Sequence, residues 1–219
     1  MHITRLPQAK EMLLDGTLHR FTCPDEGCAH AFRVERTAIY TDFDDGRYLA
    51  IEKPHEPDVR TLRTAHAEVF EACFSFGPPA AERLGWGLTH RLVFGYEAAR
   101  EKLLIWDLGL DDRVVEAVKA DLLREQWLAP DGPGPRPWQL RLDADIGGNL
   151  LFKRSASRHS VLARSADGSL TARPLAVVDY HTVPRAAVAT RAEDPESISR
   201  DYPWLMDGWV VDATFGAPT

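Results

Sequence analysis

The spacing of apolar residues changes several times along the chain, and each change marks an element. In "LPQAKEMLLDGTLH", Leu6, Ala9, Leu13 and Leu14 fall near one face of a helix that Gly16 would stop. "TLHRFTC" and "AHAFRVERTAIYTDF" then alternate as strands do. "DDG" at 44–46 signals a turn, and "RYLAIEKP" returns as a strand closed by Pro54. The first 54 residues thus predict a small antiparallel β meander with the turn "CPDEGC" at one end. The period lengthens in "EPDVRTLRTAHAEVFEACFSFGPP". Here Val59, Leu62, Ala65, Val69 and Cys73 lie three to four residues apart and predict an amphipathic helix buried along that stripe. On this reading Cys73 is a small buried hydrophobe rather than a ligand or nucleophile.

"LTHRLVFG" reads as a short strand, and "YEAAREKLLIWDLG" and "DRVVEAVKADLLREQW" as two helices. Gly109 ends the first, Asp111 or Asp112 caps the second, and Val114, Val115, Val118, Leu122 and Leu123 form an apolar stripe. The short link predicts an αα-hairpin. Its stripe serves core packing, the alternative being a groove for a partner helix. "APDGPGPRP" at 129–137 breaks regular structure, as a linker or a long surface loop. Beyond it "WQLRLDADI", "NLLFKRS", "SVLARS", "SLTARPLAVVDYH" and "AAVATRA" are strand-like, with turns at "GGN" and "ADGS". "EDPESISRDYPWLMDGWVVDATFG" should drape over the body with Trp204 and Trp209 as anchors. The expectation is an α+β fold with central helices and a β-rich C-terminal half. It divides into regions 1–128 and 138–219, as two domains or one continuous domain.

Composition narrows the function classes. The chain has 219 residues, 44% hydrophobic and 27% charged, so it can bury a core without disulfides or a metal. A net charge of −7 argues against general nucleic-acid binding. The most basic stretch, "RPWQLRLDADIGGNLLFKRSASRHSVLAR", alternates with apolar residues and reads as the wet face of a sheet. The N-terminus shows no apolar run of signal-peptide length, and no run is long enough to span a membrane. With three cysteines, this predicts free thiols in a cytoplasmic protein.

Candidate chemistry concentrates in "HRFTCPDEGCAHAFRVE". Structural zinc takes four ligands in a tetrahedron, and short Cys-to-Cys loops supply them in pairs. Cys23 and Cys28, with four residues between them, make one pair. His19, His30 or Cys73 would have to help complete the set. His30, two residues past Cys28, would point to the same face. The plainer reading is a β-turn with two cysteines left over. Thioredoxin-like redox chemistry fits poorly, because it uses two intervening residues at a helix N-terminus.

These residues carry a family resemblance. "LLDGTLHRFTCPDEGCAHAFRVERTAIYTDFDDGRYLAIEKP" resembles the bacterial CpXC-motif proteins, named for a Cys-Pro-x-Cys element after a Leu-x-Gly-x-x-x-x-Phe lead-in. The similarity continues through "RLVFGYEAAREKLLIWDLGLDDRVVEAVK" and covers roughly residues 11 to 125. The resemblance implies a zinc site built from two cysteine pairs. Only Cys23, Pro24 and Cys28 match it. The pair is widened by two residues, and no cysteine precedes Cys23, so the resemblance implies a degenerate zinc-ribbon-like turn. The family carries no established biochemical activity, so the resemblance implies a fold and not a reaction.

Other constellations are weaker. Asp42, Asp44 and Asp45 lack the remaining positions of a calcium loop and read as a solvated hairpin turn. "IGGN" lacks the helix and third glycine of a phosphate cradle, and "RSASRHS" lacks the rest of a triad. The expectation is a non-enzymatic cytoplasmic binding or adaptor protein. It would have a protein partner, no cofactor, no general nucleic-acid or membrane binding, and scope for homo-oligomers. One alternative is zinc at Cys23, Cys28 and His30, shared across a dimer if need be. The other is an enzyme or accessory subunit with a cleft site near His30, Tyr40, Asp42 and Cys73.

Overall fold

In the computed structural model, the chain is described over residues 6, 8–25, 27–28, 30–54, 58–127, 138–156, 161–164, 170–173 and 177–213. The fold is α+β. Helix α1 (Gln8–Leu14) buries Ala9 and Leu13, as its period predicts. The strands β1 (Arg20–Thr22) and β2 (Ala31–Arg33) form a two-stranded antiparallel hairpin that carries the cysteine turn. The strands β3 (Ala38–Asp42) and β4 (Arg47–Glu52) pair antiparallel, and β5 (Thr89–Phe94) joins β4 in parallel. The antiparallel pairings of the N-terminal region are therefore shared between two sheets.

A parallel neighbour needs a crossover. Here it is an arm made of α2 (Val59–Phe70), a π-helical segment (Glu71–Ser75) and α3 (Pro79–Trp86). The stripe expected to be buried holds at Val59 and Leu62 and fails from Ala65 onward. Val59, Leu62, Ala67, Phe70 and Phe74 pack against the sheet, while Val69 and Cys73 are exposed. The reason is partly His66, which lies on the buried side because its Nε2 bonds Glu52 Oε1 at 2.9 Å. Phe70 and Phe74, four residues apart, both face inward, and across the π segment that follows Phe70 the Phe76 N–H reaches back to Glu71 O at 3.0 Å.

Helices α4 (Tyr96–Asp107) and α5 (Asp112–Trp127) form the expected αα-hairpin, and Asp111 Oδ1 accepts the Arg113 N–H at 2.9 Å as the N-cap of α5. The second sheet has the order β10–β7–β6, all antiparallel, from β6 (Trp138–Ile146), β7 (Asn149–Ala156) and β10 (Val177–Pro184). A separate hairpin pairs β8 (Val161–Arg164) with β9 (Leu170–Arg173). "GGN" is the turn between β6 and β7. The Pro-Gly stretch 129–137 and the "ADGS" turn lie outside the described residues. "AAVATRA" is not a strand but lies in α6 (Arg185–Ala192), which starts directly after Pro184. Alanine is neutral in a strand pattern and the best helix former, so here propensity outweighs apparent alternation. The tail adds α7 (Pro195–Asp201), capped by Asp194, and a 3-10 helix (Pro203–Asp207).

Three apolar clusters hold these layers together. One packs α1 and α4 on one face of β3–β4–β5, through Leu13, Leu49, Ile51 and Leu103. A second covers the opposite face with Tyr48, Phe94 and Trp209 against the arm. The third joins α4, α5, α6 and α7 to the second sheet through Ile105, Val115, Phe152, Val188 and Ile198. Both tail tryptophans act as anchors: Trp209 belongs to the second cluster and Trp204 packs on the third. Among the described residues no helix is long and apolar enough to cross a membrane.

Candidate functional site

The cysteine turn sits at the end of the β1–β2 hairpin. Cys23 N–H donates to His30 O at 2.8 Å, extending the Thr22–Ala31 register by one pair. Cys23 is half-buried, whereas Cys28 and His30 are exposed. His19, the other nearby imidazole, is engaged elsewhere: its Nδ1 hydrogen-bonds Tyr96 Oη at 2.6 Å. Among the described residues no three His, Cys, Asp or Glu side chains gather closely enough to hold a metal ion. A structural zinc site requires a tetrahedral set of four donors.

The residues named for a cleft site are dispersed. Tyr40 is buried and its hydroxyl donates to Asp42 Oδ2 at 3.3 Å, while Asp42 Oδ1 accepts the Asp45 N–H at 3.1 Å within the hairpin turn. Burial first, and the Asp42 charge next, push the Tyr40 phenol well above its ordinary range. Burial first, and Cys73 on the π segment next, push the Tyr48 phenol up to about 12. Tyr48 and Tyr40 belong to the clusters on opposite faces of the sheet, so Cys73 and Tyr40 do not share a site. A recess lined by Leu122, Leu123, Leu140, Tyr180 and His181 encloses about 20 Å³. That is room for about one water, against the several hundred Å³ of a small-molecule site.

Two other features stand out. The first is the outer surface of the arm. Phe76 is 81% exposed and Trp86 79%, with Leu84 and Val69 about half exposed. Beneath them, Phe70 and Phe74 stack with each other at 4.8 Å and against Tyr48 at 5.0 and 6.1 Å. His90 lies between Phe70 and Trp209, with ring centroids 5.0 and 4.4 Å away. Burial, and then the Arg91 charge, hold the His90 imidazole below its ordinary value.

The second is a buried cluster of eight charges. Arg91 on β5 grips Asp112 bidentately at 2.7 and 2.9 Å. Lys102 on α4 donates to Glu116 Oε1 at 2.8 Å. Lys119 on α5 donates to Glu101 at 2.9 Å and to Glu116 at 3.0 Å. Arg141 on β6 donates to both Glu101 Oε2 at 2.9 Å and Asp212 Oδ2 at 2.7 Å. The Leu142 N–H donates to Glu101 Oε1 at 2.6 Å, tying β6 to α4. Every member is at most 8% exposed. Arg141 had been expected on the wet face of a sheet and lies inside instead, because Glu101 and Asp212 compensate its charge.

A family model described as CpXC protein matches residues 1–119, more than half of the chain. The chain belongs to the CpXC family. No curated protein and no solved structure matches it. The CpXC match takes in the cysteine hairpin, the arm and the α4–α5 pair up to Lys119. Six members of the charge cluster lie inside it, and Arg141 and Asp212 lie beyond it.

In this CpXC protein the cluster keeps its charges by pairing. Burial alone would raise Asp112, yet Lys102 and Arg91 outweigh it and hold the carboxyl at about 2. Asp212 and Glu101 are held low in the same way, the first mainly by Arg141 and the second mainly by Lys119. Burial works against charge on Lys102, but Glu116 and Asp112 raise its pKa overall. Glu116 is the exception: burial prevails over its two lysines and raises it. The sequence did carry a signal for this cluster. Glu116 and Lys119 are interleaved with Val115, Val118 and Leu122 on the apolar side of α5.

Proposed function

We propose that this CpXC protein is a non-enzymatic binding or adaptor protein whose contact surface is the outer side of the arm. The observation that carries this reading is that Phe76, at the end of the π segment, and Trp86, at the end of α3, are each about four-fifths exposed. Aromatic side chains bring large apolar area at small entropic cost and are enriched at the energetic centres of protein interfaces. A photo-crosslinking residue placed at position 76 or 86 should capture a discrete partner in cells. Capture should disappear in a Trp86→Ser, Phe76→Ser double variant that keeps the wild-type circular dichroism. Capture unaffected by the double substitution, or turnover of a substrate at a site away from the arm, would refute the proposal.

The same reading has the protein acting without a bound metal. Cys23, Cys28 and His30 supply three donors at most, and they are not gathered around one point. Elemental analysis of protein purified without chelators should find far less than one zinc per chain. A stoichiometric ratio that falls when Cys23 is changed to Ser would overturn this part.

A further inference from the structure

The β3–β4–β5 sheet ends at β5, and the chain's own tail makes one main-chain hydrogen bond to that edge before it crosses to β6 and α5. Leu92 N–H donates to Trp209 O at 2.8 Å, and Arg91 Nη1 donates to Gly208 O at 2.7 Å. Further along, Arg141 Nη1 holds the Asp212 carboxylate at 2.7 Å, and Glu116 Oε2 accepts the Ala213 N–H at 2.7 Å. Between these points Trp209, Val210 and Val211 are buried, the first two against the arm-side cluster and the third against the second sheet. Two backbone carbonyls, one backbone N–H, one carboxylate and three apolar side chains are thus read by the body of the molecule. Strand addition to a sheet edge reads a peptide in this way: main-chain bonds hold it, and pockets select its side chains.

The body side of this groove also holds ion pairs that do not involve the tail. Arg91 keeps Asp112, Lys102 keeps Glu116, Lys119 keeps Glu101 and Glu116, and Arg141 keeps Glu101. With Asp212 in place, four cations face four carboxylates; without it, four face three. An undocked tail therefore leaves a groove with one uncompensated positive charge beside an open strand edge. Gly208, at φ +88°, is where the chain turns out of the 3-10 helix into the groove.

We propose that the groove beside β5 is a peptide-recognition site, occupied here by the chain's own segment Gly208–Ala213. It is open to exchange for another extended segment with the same order of aromatic, aliphatic, aliphatic and acidic residues. The tail is then an autoinhibitory strap and Asp212 its latch. This surface is distinct from the outer side of the arm and stands independently of the function proposed there.

The test uses the full chain. At low denaturant, hydrogen exchange should show the amides of 209–213 opening in a step of their own, before those of β4. In an Asp212→Asn variant the same amides should exchange at least tenfold faster, while β3–β4 and β6–β7 keep their protection. A labelled peptide of sequence GWVVDA should bind this variant saturably. The same peptide with asparagine in place of aspartate should bind at least tenfold more weakly. Strap amides that open only with the whole molecule, unchanged exchange in the variant, no peptide binding, or equal binding of the two peptides would each overturn the proposal.

Discussion

Gly46 sits in the β3–β4 turn with φ +65°, and a Cβ there would come within 2.6 Å of the Gly87 carbonyl oxygen. The obstacle is backbone, which cannot swing aside. Gly46→Ala should therefore cost about 1–3 kcal/mol in chemical denaturation, through left-handed strain plus the clash. Lys119 shows a different dependence. It is fully buried between Glu101 and Glu116, so Lys119→Met leaves the cluster with one uncompensated negative charge and should cost about 3–5 kcal/mol. Opening the half-exposed Arg113–Asp111 pair should cost less than about 1 kcal/mol. At this scale the sequence was half legible. That residues 101, 102, 116 and 119 are charged is plain, and the i, i+3 placement of 116 and 119 on α5 hints at a shared face. Burial was not legible, because it depends on Arg141 and Asp212 arriving from far along the chain.

Helices α4 and α5 were readable because each repeats its apolar positions for three turns or more between clear stops. The arm was not. Two stripes that share Val59 and Leu62 run along "VRTLRTAHAEVFEACFS", and the one that faces the sheet continues through His66, bonded to Glu52, to Phe70 and Phe74. "AAVATRA" was ambiguous for a simpler reason, since alanine fits either period. Packing within the arm also reverses an expectation from propensity. Replacing a helical glycine by alanine ordinarily gains about 1 kcal/mol. At Gly85 the new Cβ would lie 2.5 Å from the Phe74 Cβ, which the π segment holds in place. Gly85→Ala should instead loosen α3 from the π segment. The loss should register as faster limited proteolysis within residues 71–87 and a lower midpoint of thermal unfolding.

The charge cluster governs how the molecule as a whole responds to pH. The Asp112 carboxyl is held at about 2 in the fold, against an ordinary 3.8. A lowered acid contributes stability above its unfolded value and loses it as pH falls through the folded one. The contribution, about 2 kcal/mol, should disappear between about pH 4 and pH 2. Asp212 and Glu101 act in the same direction, while Glu116, raised in the fold, takes up its proton earlier and offsets part of the loss. Lys102, raised in the fold, sets the other limb: its contribution persists below 10.5 and is lost above it. Urea titrations across this range should show both limbs, and Asp112→Asn should flatten the acid one even though it lowers stability at neutral pH.

The same cluster limits how such a chain can change over generations. Each buried charge leans on a partner from another element, so a lone replacement passes through a state with a stranded ion before any second change repairs it. Descendants should therefore alter 141 together with 212, or 101 together with 119, or retain all four. A lineage that dropped the whole set at once for apolar side chains of similar volume would keep its core and lose the means of holding its tail by charge.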